Sequence, residues 1–133
     1  MKDVFETFGK NSGKVWQTLN KYGPLTQTNL IKSTRLSEND FYAAVGWLAR
    51  ENKIAREGTK YHLSETNLTS KIGEDAGKIW YSLNSHGECD VSFITTINQI
   101  DMRDAYSALG WLAREDKIQL IKAKDKQIKF RLK

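Results

Sequence analysis

Apolar residues recur along this chain with the period of a helix and then, twice, with the period of a strand. Leu68, Ile72, Ala76, Ile79 and Leu83 fall at spacings of four, four, three and four, one stripe of a 3.6-residue helix. Val4, Phe8, Ser12, Val15 and Leu19 repeat the stripe earlier in the chain. Gly23 and Gly87 follow the last periodic residues and are expected to stop both helices. Gly9, Gly13, Gly73 and Gly77 weaken the same helices near their starts, so the first turns are left open. A short second helix is predicted near Thr28–Thr34 and Ser92–Asn98, with Leu30 and Ile94 inward. Ser37 and Asp101 can cap a third helix, with Asp40 and Asp104 three residues on as in a capping box. Its buried face is marked by Phe41, Ala44, Val45 and Leu48, and then by Ala105, Ala108, Leu109 and Leu112. Alternation follows. Lys53–Arg56, a Gly58-Thr59 turn and Tyr61–Leu63 predict one hairpin; Ile118–Ile121 and Ile128–Leu132, across a turn near Ala123–Lys126, predict another.

The doubling of every element reflects a duplication. Shifted by sixty-four positions, residues 13–54 align with 77–118 without a gap, and seventeen of the forty-two pairs are identical. The densest stretch is YAAVGWLARENKI at 42–54 against YSALGWLAREDKI at 106–118. Two units are expected, residues 1–66 and 67–133, each of three helices and a β-ribbon. The fold class is therefore mainly α with small β-hairpin wings, a tandem winged helix-turn-helix.

The GWLARE-K-I phrase after a capped third helix resembles the small bacterial and archaeal winged-helix proteins that carry GWLAREGKI, and the resemblance covers both copies. Asn52 and Asp116 stand where that family has Gly, and Arg35 and Gln99 occupy a turn position where many helix-turn-helix proteins place Gly. The turn is expected to differ slightly as a result. Winged-helix proteins as a class bind double-stranded DNA, which the resemblance implies here as an expectation, since fold carries function only loosely.

Composition narrows the class. With 39% hydrophobic residues and four Trp, the chain has material for packed cores. No apolar run approaches the roughly 18 residues of a membrane span, no secretory h-region opens the chain, and Cys89 is a lone cysteine, so a reduced cytoplasmic setting is expected. Net charge is +5 but unevenly spread: +3 over residues 1–66, −4 over 67–116 and +6 over 117–133. The basic terminal ribbon is either a phosphate-attracting patch or the solvated side of an amphipathic hairpin.

Helix three supplies one set of candidate contacts with DNA: Asn39, Tyr42 and Arg50, with Arg103, Tyr106 and Arg114 in the second copy. Ala43 and Gly46, with Ser107 and Gly110, share that face. Helix three of copy one sets Glu38 and Asp40 against Arg50, and copy two sets Asp101 and Asp104 against Arg103 and Arg114, a poor match for phosphate. Small residues a turn apart also suit close packing, and two readings of the phrase stand. Trp47 and Trp111 pack on their own first helix near Trp16, or the Gly46–Trp47 and Gly110–Trp111 faces join the copies into a covalent pseudo-dimer. In the second case the wings are the better DNA candidates: Lys53, Arg56 and Lys60 in the first, Lys122, Lys124, Lys126, Lys129 and Arg131 in the second. In the last strand Ile128, Phe130 and Leu132 are expected inward, with Lys129 and Arg131 outward.

His62, His86 and Cys89 do not form a zinc spacing, and no phosphate loop, HExxH or nucleophile elbow occurs. The expectation is a non-enzyme with no cofactor and no metal, a DNA-binding, transcription-regulator-like protein. The alternative is a protein–protein interaction module on the same scaffold. A homodimer remains compatible with either.

Overall fold

The computed structural model describes residues 3–122 and 128–133. Each copy folds as helix, short strand, two helices and a hairpin: α1 (Val4–Tyr22), β1 (Leu25–Thr26), α2 (Gln27–Thr34), α3 (Glu38–Arg50), β2 (Ile54–Glu57) and β3 (Lys60–Leu63). The second copy repeats them as α4 (Thr69–His86), β4 (Cys89–Asp90), α5 (Val91–Asn98), α6 (Met102–Arg114), β5 (Ile118–Lys122) and β6 (Ile128–Leu132). The turn expected near Ala123–Lys126 lies outside the described residues.

Local chemistry sets the boundaries. The Ser37 hydroxyl accepts from the Asp40 amide at 3.1 Å and the Asp101 carboxylate from the Asp104 amide at 2.8 Å, so both third helices start where their caps are. Thr26 and Asp90 cap α2 and α5 in the same way. Gly23 and Gly87, at φ +79° and +78°, end α1 and α4. The internal glycines do not interrupt either helix. The predicted stripes are the buried ones: Val4, Phe8, Ser12, Val15 and Leu19 in α1; Ile72, Ala76, Ile79 and Leu83 in α4.

Each sheet has three strands rather than two. β1 pairs with β3 through Leu25↔Tyr61, and β4 with β6 through Cys89↔Phe130, giving the orders β1-β3-β2 and β4-β6-β5. The hairpin registers, Ile54↔Leu63 and Ile118↔Leu132, follow the predicted alternation. One inward assignment fails. Phe130 is buried and Leu132 half-buried, but Ile128 is 44% exposed because it sits at the far end of β6, opposite Lys122 and beyond the helices.

The turn between the second and third helices does not differ as expected. Arg35 and Gln99 adopt the left-handed conformation, φ +59° and +54°, that Gly would take there; so do Asn52 and Asp116 at +60° and +58°. A Cβ in this region costs about 1 kcal/mol. Arg35→Gly and Gln99→Gly are therefore expected to stabilise the fold by roughly 0.5 kcal/mol each, after the looser unfolded chain is allowed for. Chemical denaturation checks this; a loss of stability would show that the side chains contribute more than the backbone strain costs.

Candidate nucleic-acid interface

The third helix of a winged-helix protein is ordinarily the one that enters a DNA groove. Here it is not available. In α3 every residue from Phe41 through Ala49 is buried, the pattern of a helix covered on all sides. One side lies on α1 and the other on α6, and α3 with α6 make the most extensive helix–helix contact in the molecule. A Cβ on Gly46 would stand 1.7 Å from the Ser107 carbonyl oxygen, and one on Gly110 1.9 Å from that of Ala43. The backbones touch, and only glycine permits it.

The contact has the reciprocity of a two-fold interface within one chain. Arg50 Nε donates to Glu115 at 3.1 Å, and Arg114 Nε to Glu51 at 3.0 Å. The Arg50 guanidinium lies 5.7 Å from the Trp111 ring centre, and that of Arg114 lies 5.8 Å from Trp47. Both glutamates also face a lysine of their own copy, Lys53 at 3.6 Å and Lys117 at 3.4 Å. Residue i of one copy meets j of the other, and j meets i, as in an isologous dimer.

The two readings of the repeated phrase thus hold for different residues. Gly46 and Gly110 join the copies. Trp47 turns to its own first helix, edge-on to Phe5 at 4.8 Å and against Gly9. As groove-reading candidates, Tyr42 and Tyr106 are corrected: Tyr42 is 4% exposed with its hydroxyl donating to Gln27 at 2.6 Å, and Tyr106 is half-buried, both drawn in by the α3–α6 seam. Ala43, Gly46, Ser107 and Gly110 are covered for the same reason. Arg50 and Arg114 are committed across the seam. Asn39 and Arg103 stay exposed at the helix starts, Arg103 lying over the Tyr42 ring at 5.9 Å.

Of the wing cations with described side chains, Lys53, Arg56, Lys60 and Arg131 are exposed, and Lys53 and Arg131 have acidic neighbours. Arg56 is exposed, its Nε donating to the Gly58 carbonyl at 3.0 Å and its guanidinium 5.7 Å from the Tyr61 ring centre. Lys60 is exposed at the head of β3, with no ion pair among the described residues. Arg131 is exposed and 3.6 Å from Glu88, while Lys129 is half-buried. Lys122 closes β5; Lys124 and Lys126 lie outside the described residues.

A basic face went unnoticed in the sequence. Lys10, Lys14 and Lys21, spaced four and seven apart, share one exposed stripe of α1 opposite the core. No ion pair engages them among the described residues. Copy two has Glu74, Lys78 and Ser85 at these positions and folds alike, so the fold does not require Lys10 or Lys21. Their spacing was the available signal.

Cys89 is 3% exposed, and burial pushes its thiol pKa up, away from the nucleophilic thiolate. His62 is half-buried 3.6 Å from Glu57, and the ring of exposed His86 meets Phe93 edge-on at 5.2 Å. No cluster of three or more His, Cys, Asp or Glu suited to a metal exists among the described residues.

The family profile described as winged helix-turn-helix domain (DUF2582) matches this chain twice, over residues 1–67 and 65–132. The chain belongs to that family. It carries the winged helix-turn-helix domain in tandem, and the fold is of the nucleic-acid-binding type. An uncharacterized protein of Methanocaldococcus jannaschii is 41% identical over 73 residues, which are 50% of this chain and 97% of that one. A solved structure, the mRNA-binding domain of elongation factor SelB from E. coli in complex with SECIS RNA, aligns over 92% of this chain and 97% of its own at 16% identity and a TM-score of 0.37. That likeness is too distant to bear on the site. Among the described residues no helix is long and apolar enough to cross a membrane.

Proposed function

We propose that this tandem winged-helix chain is a non-catalytic, cytoplasmic nucleic-acid-binding protein of regulatory type. It holds the phosphate backbone with the exposed cations of its wings and of α1, in place of reading bases with a third helix. One observation carries this reading. The faces that would enter a groove are spent on each other across Gly46 and Gly110, while Arg56, Lys60, Arg131, Lys10, Lys14 and Lys21 remain outside. Recognition by backbone charge gives strong salt dependence and weak sequence preference.

Duplex DNA titrated at several salt concentrations is the direct test. Reversal of Lys124, Lys126 and Lys129 to Glu is expected to lower affinity about tenfold, and reversal of Lys10, Lys14 and Lys21 to do the same. Each lost phosphate contact should also flatten the slope of log K against log salt by about 0.9. Unchanged affinity in both variants would refute backbone contact by these faces.

A second reading has its own support in copy two. There α5 exposes Phe93 and Ile97, at 42% and 43%, beside a groove of about 480 Å3 against α4. Apolar residues so placed suit a protein partner. A chain that binds no nucleic acid in the titration but co-purifies with one polypeptide would favour it.

A further inference from the structure

The copies agree closely at a cleft on the rim of each core. In copy one a cleft of about 290 Å3 between α1 and the end of α3 is lined by Gly9, Gly13, Trp16, Trp47, Glu51 and Lys53, among others. In copy two a cleft of about 450 Å3 is lined by Gly73, Gly77, Trp80, Trp111, Glu115 and Lys117. All nine lining positions correspond under the shift of sixty-four, and seven carry the same residue type. The other two pairs are Ser12 with Ala76 and Gln17 with Tyr81.

Packing and the seam account for Gly9, Trp47, Leu48, Glu51 and their counterparts, but not for Gly13 and Trp16 or for Gly77 and Trp80. Gly13 and Gly77 sit in mid-helix, where glycine is the poorest former after proline. Unlike Gly46 and Gly110, they have nothing within 4 Å of where a Cβ would stand apart from their chain neighbours and their own helix backbone. Beside that space Trp16 and Trp80 are left 37% and 36% exposed, although indoles are ordinarily covered. The glutamates at the cleft are already neutralised by Arg114 with Lys53, and by Arg50 with Lys117. They do not oppose an incoming anion. In copy one the exposed Lys10–Lys14–Lys21 stripe runs along the same helix that supplies Gly13 and Trp16. An aromatic wall, an open glycine and adjoining cations make a place for a flat ring attached to a phosphate.

We propose that the two clefts hold unpaired nucleobases stacked on Trp16 and Trp80, with Lys53 and Lys117 at the adjoining phosphates. This rests on the nucleic-acid-binding reading and names its substrate class: single strands, or duplexes with bases displaced, since a paired base cannot enter a cleft. Stacking on aromatic side chains tolerates any base, in keeping with the absence of a reading helix.

The test uses the full chain and labelled oligonucleotides of about a dozen nucleotides, comparable to the sites of known single-strand binders. The probes are single-stranded DNA and RNA, the matching duplex, and an abasic strand with the same phosphates, compared by fluorescence anisotropy at fixed low salt. Base-bearing single strands are expected to bind about 5- to 100-fold more tightly than the abasic strand. Trp16→Ala with Trp80→Ala should erase that difference. Gly13→Leu with Gly77→Leu should erase it too, by filling the clefts with a good helix former, while the melting temperature holds or rises. Equal binding of the abasic and base-bearing strands overturns the clefts alone, as does a difference that survives in the Leu variant. Failure of every probe to bind overturns the nucleic-acid reading and the clefts with it.

Discussion

Gly46→Ala is expected to destabilise the chain by about 3 kcal/mol or more, and Gly110→Ala by a similar amount, although alanine is the better helix former by about 1 kcal/mol. The new methyl would lie 1.7 Å from the Ser107 carbonyl oxygen, or 1.9 Å from that of Ala43, where carbon and oxygen ordinarily approach to about 3.3 Å. Both clashes are with backbone, so no rotamer relieves them. The helices must separate, and the packing along α3 and α6 loosens together. Thermal unfolding should show a drop of about 10 °C or more. The double variant should cost less than the sum of the two, because the first methyl already parts the surfaces that the second would strike. Gly13→Ala supplies the control. It makes the same change in the same kind of helix, but its Cβ enters open space, and it is expected to stabilise by up to about 1 kcal/mol. A loss at Gly46 no larger than the change at Gly13 would mean that the copies do not meet as described.

The seam also explains why charge is arranged as it is. Arg50–Glu115 and Arg114–Glu51 are part-exposed pairs, each worth up to about 1 kcal/mol. They orient the copies more than they hold them together. What holds them is continuous burial from Phe41 to Ala49 and along most of α6.

Elements governed by near neighbours were legible in the sequence. The stripe through Val4, Phe8, Val15 and Leu19, the caps at Ser37 and Asp101, and the alternation around Phe130 depend on residues a few positions away. β1 and β4 were not legible, because a two-residue strand has no period and owes its pairing to a hairpin strand 36 residues on in copy one and 41 in copy two. The fate of helix three was half legible. Ala43, Gly46, Ser107 and Gly110 announced a close approach, but small residues do not say which backbone approaches. Arg50 and Arg114 had the look of DNA contacts because their glutamate partners stand 65 and 63 residues away. Gly13 and Trp16 were visible as repeated letters, yet nothing local distinguishes a glycine against open space from one under a neighbouring helix.

Where the copies differ, the duplication offers a controlled experiment. Copy two buries a carboxylate, Asp75, to 2% exposure in α4, with the Lys71 ammonium 3.0 Å away and Asp104 3.5 Å from the same nitrogen. Copy one has Thr7 and Asn11 at the positions of Lys71 and Asp75, with Asn11 also buried. A charged and a neutral solution thus occupy one site. Lys71→Thr alone strands the Asp75 charge and is expected to cost about 2–4 kcal/mol, toward the lower end because the lysine is itself half in water. Asp75→Asn alone leaves a half-solvated lysine that still faces Asp104 and should cost about 1 kcal/mol or less. The double variant, which copies the first unit, should return close to the original stability, giving a coupling of about 2 kcal/mol in the cycle. The sign with pH follows from the lysine. Its pKa is raised above the ordinary 10.5, first by its bond to Asp75, so the lysine's contribution is complete at neutral pH and is lost as pH rises through that raised value. The deficit of Lys71→Thr should therefore be constant across neutral pH and shrink in strong alkali. Additive single and double variants would show that the ion pair contributes nothing that two independent side chains would not.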